Sequence, residues 1–249
     1  MKIISINLCS WGDGENSIPQ RMPRALWLIR KYSPDIFGVQ EATPKWMECL
    51  KTNLTEYSSV GIGRDENGEG EASSIFYKNG TFELVKEDFF WLSETPEQIS
   101  LGWDAACRRI CTMALLKNKT TGSRFAFFNT HLDHIGPVAQ KNGAALINSR
   151  IQEYAGKCPV ILTGDFNVSY DSEAYAEIKL NDARVVAEEA DAGRTWHNFG
   201  GETDEYFAGM PIDICFVSDD VKVKSYTILR DKCDDKFITD HYPILVETT

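Results

Sequence analysis

The sequence places carboxylate, amide and imidazole side chains where apolar runs give way to loops. Asp165 and Asn167 lie in Gly164-Asp165-Phe166-Asn167, just after the apolar run Val160-Ile161-Leu162. Asp240 and His241 lie in Thr239-Asp240-His241-Tyr242-Pro243, before the last apolar stretch. His131 follows Asn129-Thr130, Glu41 follows the apolar segment 35–40, and Asn7 closes the isoleucine-rich opening segment. Asp213 stands between Ile212 and Ile214, where a carboxylate is costly unless it is paired or hydrogen-bonded. Hard oxygen groups of this kind can hold a divalent cation, and a carboxylate among imidazoles can move protons during attack by water. Each residue alone reads equally well as a turn, a cap or a half-buried polar group. Their joint occurrence at the ends of apolar runs is what specifies a site.

The elements that must carry these groups are short runs rich in β-branched and aromatic residues, which predict strands. They fall at 2–8, 35–40, 57–62, 72–77, 82–91, 110–116, 124–129, 159–163, 212–217, 221–229 and 244–246. Helical spacing predicts helices over 19–31, with Met22, Ala25, Leu26 and Ile29 on one face and Pro34 ending it. A second helix is expected over 44–53, with Thr43 as N-cap before Pro44. The longest falls at 138–154 and a shorter one at 171–178. The glycine-rich acidic stretch 63–71 reads as a mobile surface loop, and 191–209 as a long excursion. Strands outnumber helices and helices intervene in both halves. This pattern suits an α/β arrangement of two mixed sheets with helices outside, in a single domain over 1–249.

Composition narrows the field of functions. The 249 residues are 43% hydrophobic and 25% charged, ordinary for a globular chain with a sizeable core. The net charge of −11 opposes tight, sequence-blind binding to long DNA, which depends on phosphate neutralisation by a basic surface. No segment reads as a membrane span or a signal peptide. The seven cysteines are scattered without a metal-ribbon spacing, so reduced thiols in a cytoplasmic protein are expected.

With these segments in order, the chain resembles the endonuclease/exonuclease/phosphatase (DNase I-like) superfamily almost end to end. The resemblance rests on Ser5-Ile6-Asn7, Val39-Gln40-Glu41, Ser74-Ile75-Phe76-Tyr77, Asn129-Thr130-His131-Leu132, Leu162-Thr163-Gly164-Asp165-Phe166-Asn167, Ile212-Asp213-Ile214-Cys215-Phe216 and Asp240-His241-Tyr242-Pro243. The Gly-Asp-Phe-Asn and Asp-His-Tyr-Pro elements are the specific ones. Thr239 stands where the family more often has Ser, and the hydroxyl is kept. Phe90-Trp91-Leu92-Ser93 and Gly102-Trp103-Asp104 resemble stand-alone bacterial members of the nocturnin-type branch.

The resemblance implies a four-layered α/β sandwich and a metal-dependent phosphoesterase. It implies that Glu41, with Asn7 beside it, holds Mg²⁺ or Mn²⁺, and that Asp240 binds a second metal or a metal-bound water. Asp165 would orient and deprotonate the attacking water, and Asn167 would hold the phosphate or that water. His131 and His241 would donate to phosphate oxygens, with Asp213 fixing the tautomer of His241. Arg108 and Arg109 either clamp a phosphate or form a solvated turn. His134 lines the pocket or lies on the surface. Trp196 and His197 fall in a Thr-Trp-His stretch that resembles one near the substrate in some family members. The expected substrate is a phosphorylated small molecule or short nucleic acid, acted on by a monomer without a membrane. The competing reading is a catalytically silent member that binds a phosphorylated ligand or a protein, but such a protein has no need for a water-activating Asp165.

Overall fold

The computed structural model describes residues 1–154, 156–201 and 209–249. Two mixed sheets dominate it. The first has seven strands in the order β10 (Glu189–Ala190), β12 (Val223–Ile228), β15 (Ile244–Thr248), β1 (Lys2–Asn7), β2 (Ile36–Gln40), β4 (Ile75–Lys78) and β3 (Tyr57–Val60). The second has six, in the order β5 (Phe82–Trp91), β6 (Ile110–Asn118), β7 (Arg124–His131), β8 (Val160–Asp165), β11 (Asp213–Val217) and β9 (Asn181–Asp182). A small hairpin, β13 (Lys232–Cys233) with β14 (Lys236–Phe237), lies apart from both.

Strand β1 is buried on both sides, and its isoleucines serve two cores. Ile3 joins Ile36, Ile75, Ile244 and Val246 against Leu116, Phe127, Ile161 and Val217 of the second sheet. Ile4 and Ile6 face outward with Phe37 and Val39, where α1 (Ile18–Tyr32) and α2 (Pro44–Asn53) cover them with Ala25, Leu28, Ile29, Trp46 and Leu50. On the far face of the second sheet, Phe128, Val160, Leu162 and Phe216 pack under α3 (Pro137–Ile151) and α4 (Glu173–Glu177). Helices, sheet, sheet, helices is the four-layered sandwich expected from the sequence. A single-turn helix, α5 (Ala183–Val186), closes the set.

Local sequence explains the helix ends. Proline stands in the first turn of α1, α2 and α3, where its missing N–H costs nothing. Helix α1 ends at Ser33 in the left-handed region, just before Pro34. Thr43 is the N-cap residue of α2, as its position suggests, but its hydroxyl accepts no capping hydrogen bond. The N-terminus of α3 is served from a distance, by Asp104 Oδ1 accepting from Ala139 N at 2.7 Å.

The expected elements differ from the observed ones mainly at their ends, and two differences bear on the site. Strands β7 and β8 run two residues further than their apolar runs, so His131 and Asp165 are strand residues. Segment 63–71 is a surface loop, as its composition predicts, but an internally hydrogen-bonded one. It folds back through Arg64 N–H to Glu71 O (3.1 Å) and Asp65 N–H to Glu69 O (3.0 Å), and a salt bridge of 2.9 Å joins Arg64 to Glu71. Of the excursion 191–209, residues 202–208 lie outside the described residues. Among the described residues, no helix is long and apolar enough to cross a membrane, and the seven cysteines are free thiols.

The sheets are locked together below the site by a buried amide clasp. Asn129 on β7 donates to Val39 O (2.8 Å) and Ser74 O (3.1 Å) of the first sheet, and its Oδ1 accepts from Gln40 Nε2 at 2.7 Å. Gly38 makes room for this, since a Cβ there would lie 2.3 Å from Asn129 Oδ1.

Candidate active site

Strand register brings the candidate residues to one end of the sandwich. Parallel pairing of β1 with β2 sets Asn7 opposite Gln40, so Glu41 follows at the strand end. In the other sheet, β8 lies between β7 and β11, so Asp165 is opposite both His131 and Asp213. The segment before β15 delivers Asp240 and His241. A cleft of about 480 Å³ results, lined by Trp11, Glu41, Arg64, Glu71, Cys107, Arg109, His131, His134, Asp165, Asn167, Trp196, Ile212, Asp240 and His241. Glu41 and Asn167 hold left-handed φ values of +53° and +51°, a backbone state that non-glycine residues occupy only when their surroundings enforce it.

Asp165 is the centre of the constellation. Its Oδ1 accepts from Asn167 N–H at 3.0 Å and its Oδ2 from Asn7 Nδ2 at 2.9 Å. The same Oδ2 lies 3.5 Å from His131 Nε2 and 3.8 Å from His241 Nε2. Burial pushes the Asp165 carboxyl up to about 7, with His241 opposing that rise and Asp213 adding to it. A buried carboxylate poised near neutrality suits proton abstraction from water.

The two histidines are held in opposite states. Burial alone would lower His241, but Asp213, Asp240 and Asp165 outweigh it and keep the ring protonated well above its usual range. Asp213 Oδ2 sits 2.8 Å from His241 Nδ1, which leaves Nε2–H facing the cleft and accounts for a carboxylate within an apolar strand. His131 is pushed well down by burial, then by Arg109 and Arg64. Its Nε2 accepts from Asn167 Nδ2 at 2.9 Å, and that amide also donates to Leu132 O at 3.2 Å.

Asn7 differs from the direct ligand that the resemblance implies. Its amide NH₂ bridges Glu41 Oε1 and Asp165 Oδ2, each at 2.9 Å, while its Oδ1 accepts from Cys9 N–H. It thus fixes two carboxylates relative to one another. Glu41 also accepts from Ser10 N–H at 2.7 Å. Burial would raise its carboxyl, and the Ser10 and Asn7 donors bring it below the usual value. Asp240, with Thr239 Oγ1 donating to it at 3.1 Å, is raised by burial.

Glu41, Asp165 and Asp240 all line the cleft, and Glu41 stands near enough to the other two to raise both carboxyls. Carboxylate oxygens of this kind are the donors that a divalent cation takes. Asp165, Asp213 and His241 also lie close enough to hold a metal. However, the bond between Asp213 and His241 Nδ1 occupies that pair, and Asp213 is fully buried behind the ring.

The remaining candidates divide. His134 and Trp196 line the cleft, and Trp196 pairs its backbone with His241. Arg108 turns away, donating to Asp65 Oδ1 at 3.0 Å, and Arg109 occupies the cleft wall in its place. His197 is buried beneath the site, its ring 4.0 Å from that of Tyr242 and 4.4 Å from that of Phe237. Trp11, Arg64, Glu71 and Cys107 were not anticipated. Arg21 was not either: fully buried in α1, it donates to Leu8 O, Cys9 O, Trp11 O and Asn16 O and so shapes the loop after β1.

The comparisons with known proteins agree with this fold. The sequence matches the Endonuclease/Exonuclease/phosphatase family over residues 28–241. The mannosyl-6-phosphatase of Bacteroides thetaiotaomicron VPI-5482 superposes with a TM-score of 0.92 at 34% identity, covering 100% of this chain and 99% of that one. An endonuclease/exonuclease/phosphatase from Bacteroides vulgatus gives 0.92 at 34% identity, covering 100% and 98%. The human Nocturnin catalytic domain, solved with a bound sulfate anion, shares the fold with a TM-score of 0.74 at 19% identity, covering 100% and 93%. Drosophila melanogaster Nocturnin is 24% identical over 77% of this chain and 34% of the fly protein, so the chain spans about a third of that relative. The chain belongs to the endonuclease/exonuclease/phosphatase family.

Proposed function

We propose that this protein is a metal-dependent phosphoesterase that hydrolyses a phosphorylated small molecule or short nucleic acid by attack of water activated at Asp165. The observation that carries this reading is the position of Asp165. It lies within 4 Å of both histidines and shares Asn7 with Glu41. Glu41 and Asp240 would hold Mg²⁺ or Mn²⁺, which when bound neutralises charge on the phosphate.

The chain's own residues divide the remaining work. Asp165 accepts the proton of the attacking water, and Asn167 keeps that carboxylate oriented through its backbone N–H. Protonated His241 donates from Nε2 to a phosphate oxygen, and Asp213 holds its ring at the required angle. Neutral His131, with Nε2 engaged by Asn167, limits the positive charge beside Asp165. A 34% identical relative that bears the name mannosyl-6-phosphatase supports a small phosphorylated substrate, as does the acidic balance of the chain.

The test is turnover of p-nitrophenyl phosphate and bis-p-nitrophenyl phosphate with Mg²⁺ or Mn²⁺, followed by phosphorylated sugars, nucleotides and short oligonucleotides. Metal-dependent release of product by the wild type, abolished in Asp165→Ala, is the expected result. Absence of metal-dependent turnover across the whole panel would overturn the reading.

A further inference from the structure

The wall of the cleft that faces the acidic residues is built from cations, and one of them is incompletely bonded. Arg109 is 5% exposed and lines the cleft. Its Nη2 donates to His134 Nδ1 at 3.1 Å. Since a guanidinium only donates, this contact makes Nδ1 the acceptor and leaves the His134 proton on Nε2. Arg109 Nε has no hydrogen-bond partner. Its counter-ion, Asp133, stands 3.7 Å from it and spends its own oxygens on the backbone N–H groups of Ala106, Cys107, Ile135 and Gly136. Asp133 thereby clamps the two loops that carry Arg109 and His134. Arg64 stands beside Arg109, with its charge met by Glu71 at 2.9 Å. A small void bordered by Glu41, Arg64, Arg109 and His131 shows how near this wall lies to the acidic side.

The unpaired Nε is enclosed on the Asp133 side, so what Arg109 offers the cleft is a fixed guanidinium charge only loosely met by its counter-ion, which an anionic oxygen would complete. In the phosphoesterase reading, the acidic side with its cation would meet one oxygen of a phosphoryl group and His241 a second. We propose that Arg109, pinned by His134 and flanked by Arg64, receives the third terminal oxygen and so makes this enzyme selective for phosphomonoesters. The inference rests on the phosphoesterase reading above. A diester carries a second carbon substituent at that corner, which would bury the guanidinium against an apolar group without an acceptor. In the reaction so selected, the water oxygen bonds to phosphorus and the ester P–O bond breaks. The leaving oxygen takes a proton, giving an alcohol and inorganic phosphate.

The experiment compares kcat/KM on p-nitrophenyl phosphate and bis-p-nitrophenyl phosphate, with Mg²⁺, for wild type, Arg109→Ala and Arg109→Lys. The wild type should prefer the monoester. Arg109→Ala should lose about 100-fold on it and far less on the diester, shifting the ratio by about 30-fold or more. Arg109→Lys keeps the charge beside Asp133, which protects the fold, and should recover only part of the ratio because it lacks the planar fork. Equal losses on both substrates in the two variants would overturn the proposal, because a purely structural role does not change selectivity. Unchanged monoester turnover would overturn it too. A wild type active on neither substrate would instead sink the phosphoesterase reading, and this inference with it.

Discussion

The two walls of the cleft are built in different ways. Asn7, Glu41, His131 and Asp165 end or follow central strands, and register within each sheet and the packing of one sheet on the other bring them together. Arg64, Arg109 and His134 sit on loops or at a strand margin, held by turn hydrogen bonds and by Asp133. Apart from Asp240, which the segment before β15 delivers, the acidic wall is thus set by the sheets, whereas the cationic wall depends on loops that can change without disturbing the layers. Chemistry sits on the part of the fold that tolerates least change, and recognition on the part that tolerates most.

The comparison breaks if substitutions on the acidic wall alter selectivity, or if those on the cationic wall abolish turnover of every substrate. The largest effect is expected from Asp165→Asn, a loss of about 10⁴-fold in kcat on monoester and diester alike. Circular dichroism should show the fold intact, and residual activity within tenfold of wild type would remove Asp165 from its role. Next, Asp213→Asn should lower kcat by about 100-fold by freeing the His241 ring, again on both substrates. Glu41→Gln should raise the Mg²⁺ concentration needed for half-maximal rate by about tenfold or more, with saturating metal restoring part of the rate. Chelation by EDTA should abolish activity, and added Mg²⁺ should return it.

The smallest effect concerns pH and stability. The folded-state pKa of His241 is raised above its unfolded value. Its contribution is therefore fully present below about 6.5 and is lost as pH rises through the folded value. The difference in Tm between wild type and Asp213→Asn should be largest near pH 6 and should narrow as pH passes the folded value of His241, located by NMR titration of the ring. A gap that does not narrow across that range would mean that the pair stabilises the fold by packing alone.

This division also explains what could be read from the sequence. The strand-end residues announce themselves because an apolar run stops at a polar group, and Asp213 because it interrupts one. Loop residues carry no such periodic signal. Arg108 and Arg109 are indistinguishable as letters, and only the chain direction entering β6 turns one to Asp65 and the other into the cleft. Arg64 was hidden in a segment whose glycines and acids resemble solvent-exposed chain. His197 resembles a ligand-facing histidine in sequence, but Phe237 and Tyr242 enclose it. Asn7 shows the limit of assigning roles by residue type: the position was legible, but which end of its amide faces the carboxylates was not.

Glu41 adopts φ +53°, a conformation that folding alone would not select, while Ser10 N–H and Asn7 Nδ2 hold its carboxylate ionised. Replacing it with glycine would relieve the backbone by about 1 kcal/mol but strip those donors of their acceptor, at a cost of similar size. An inert protein of nearly unchanged stability is the expected product. Selection for thermal robustness alone would therefore not guard this position, and any campaign to harden the protein must screen for turnover as well as for survival on heating.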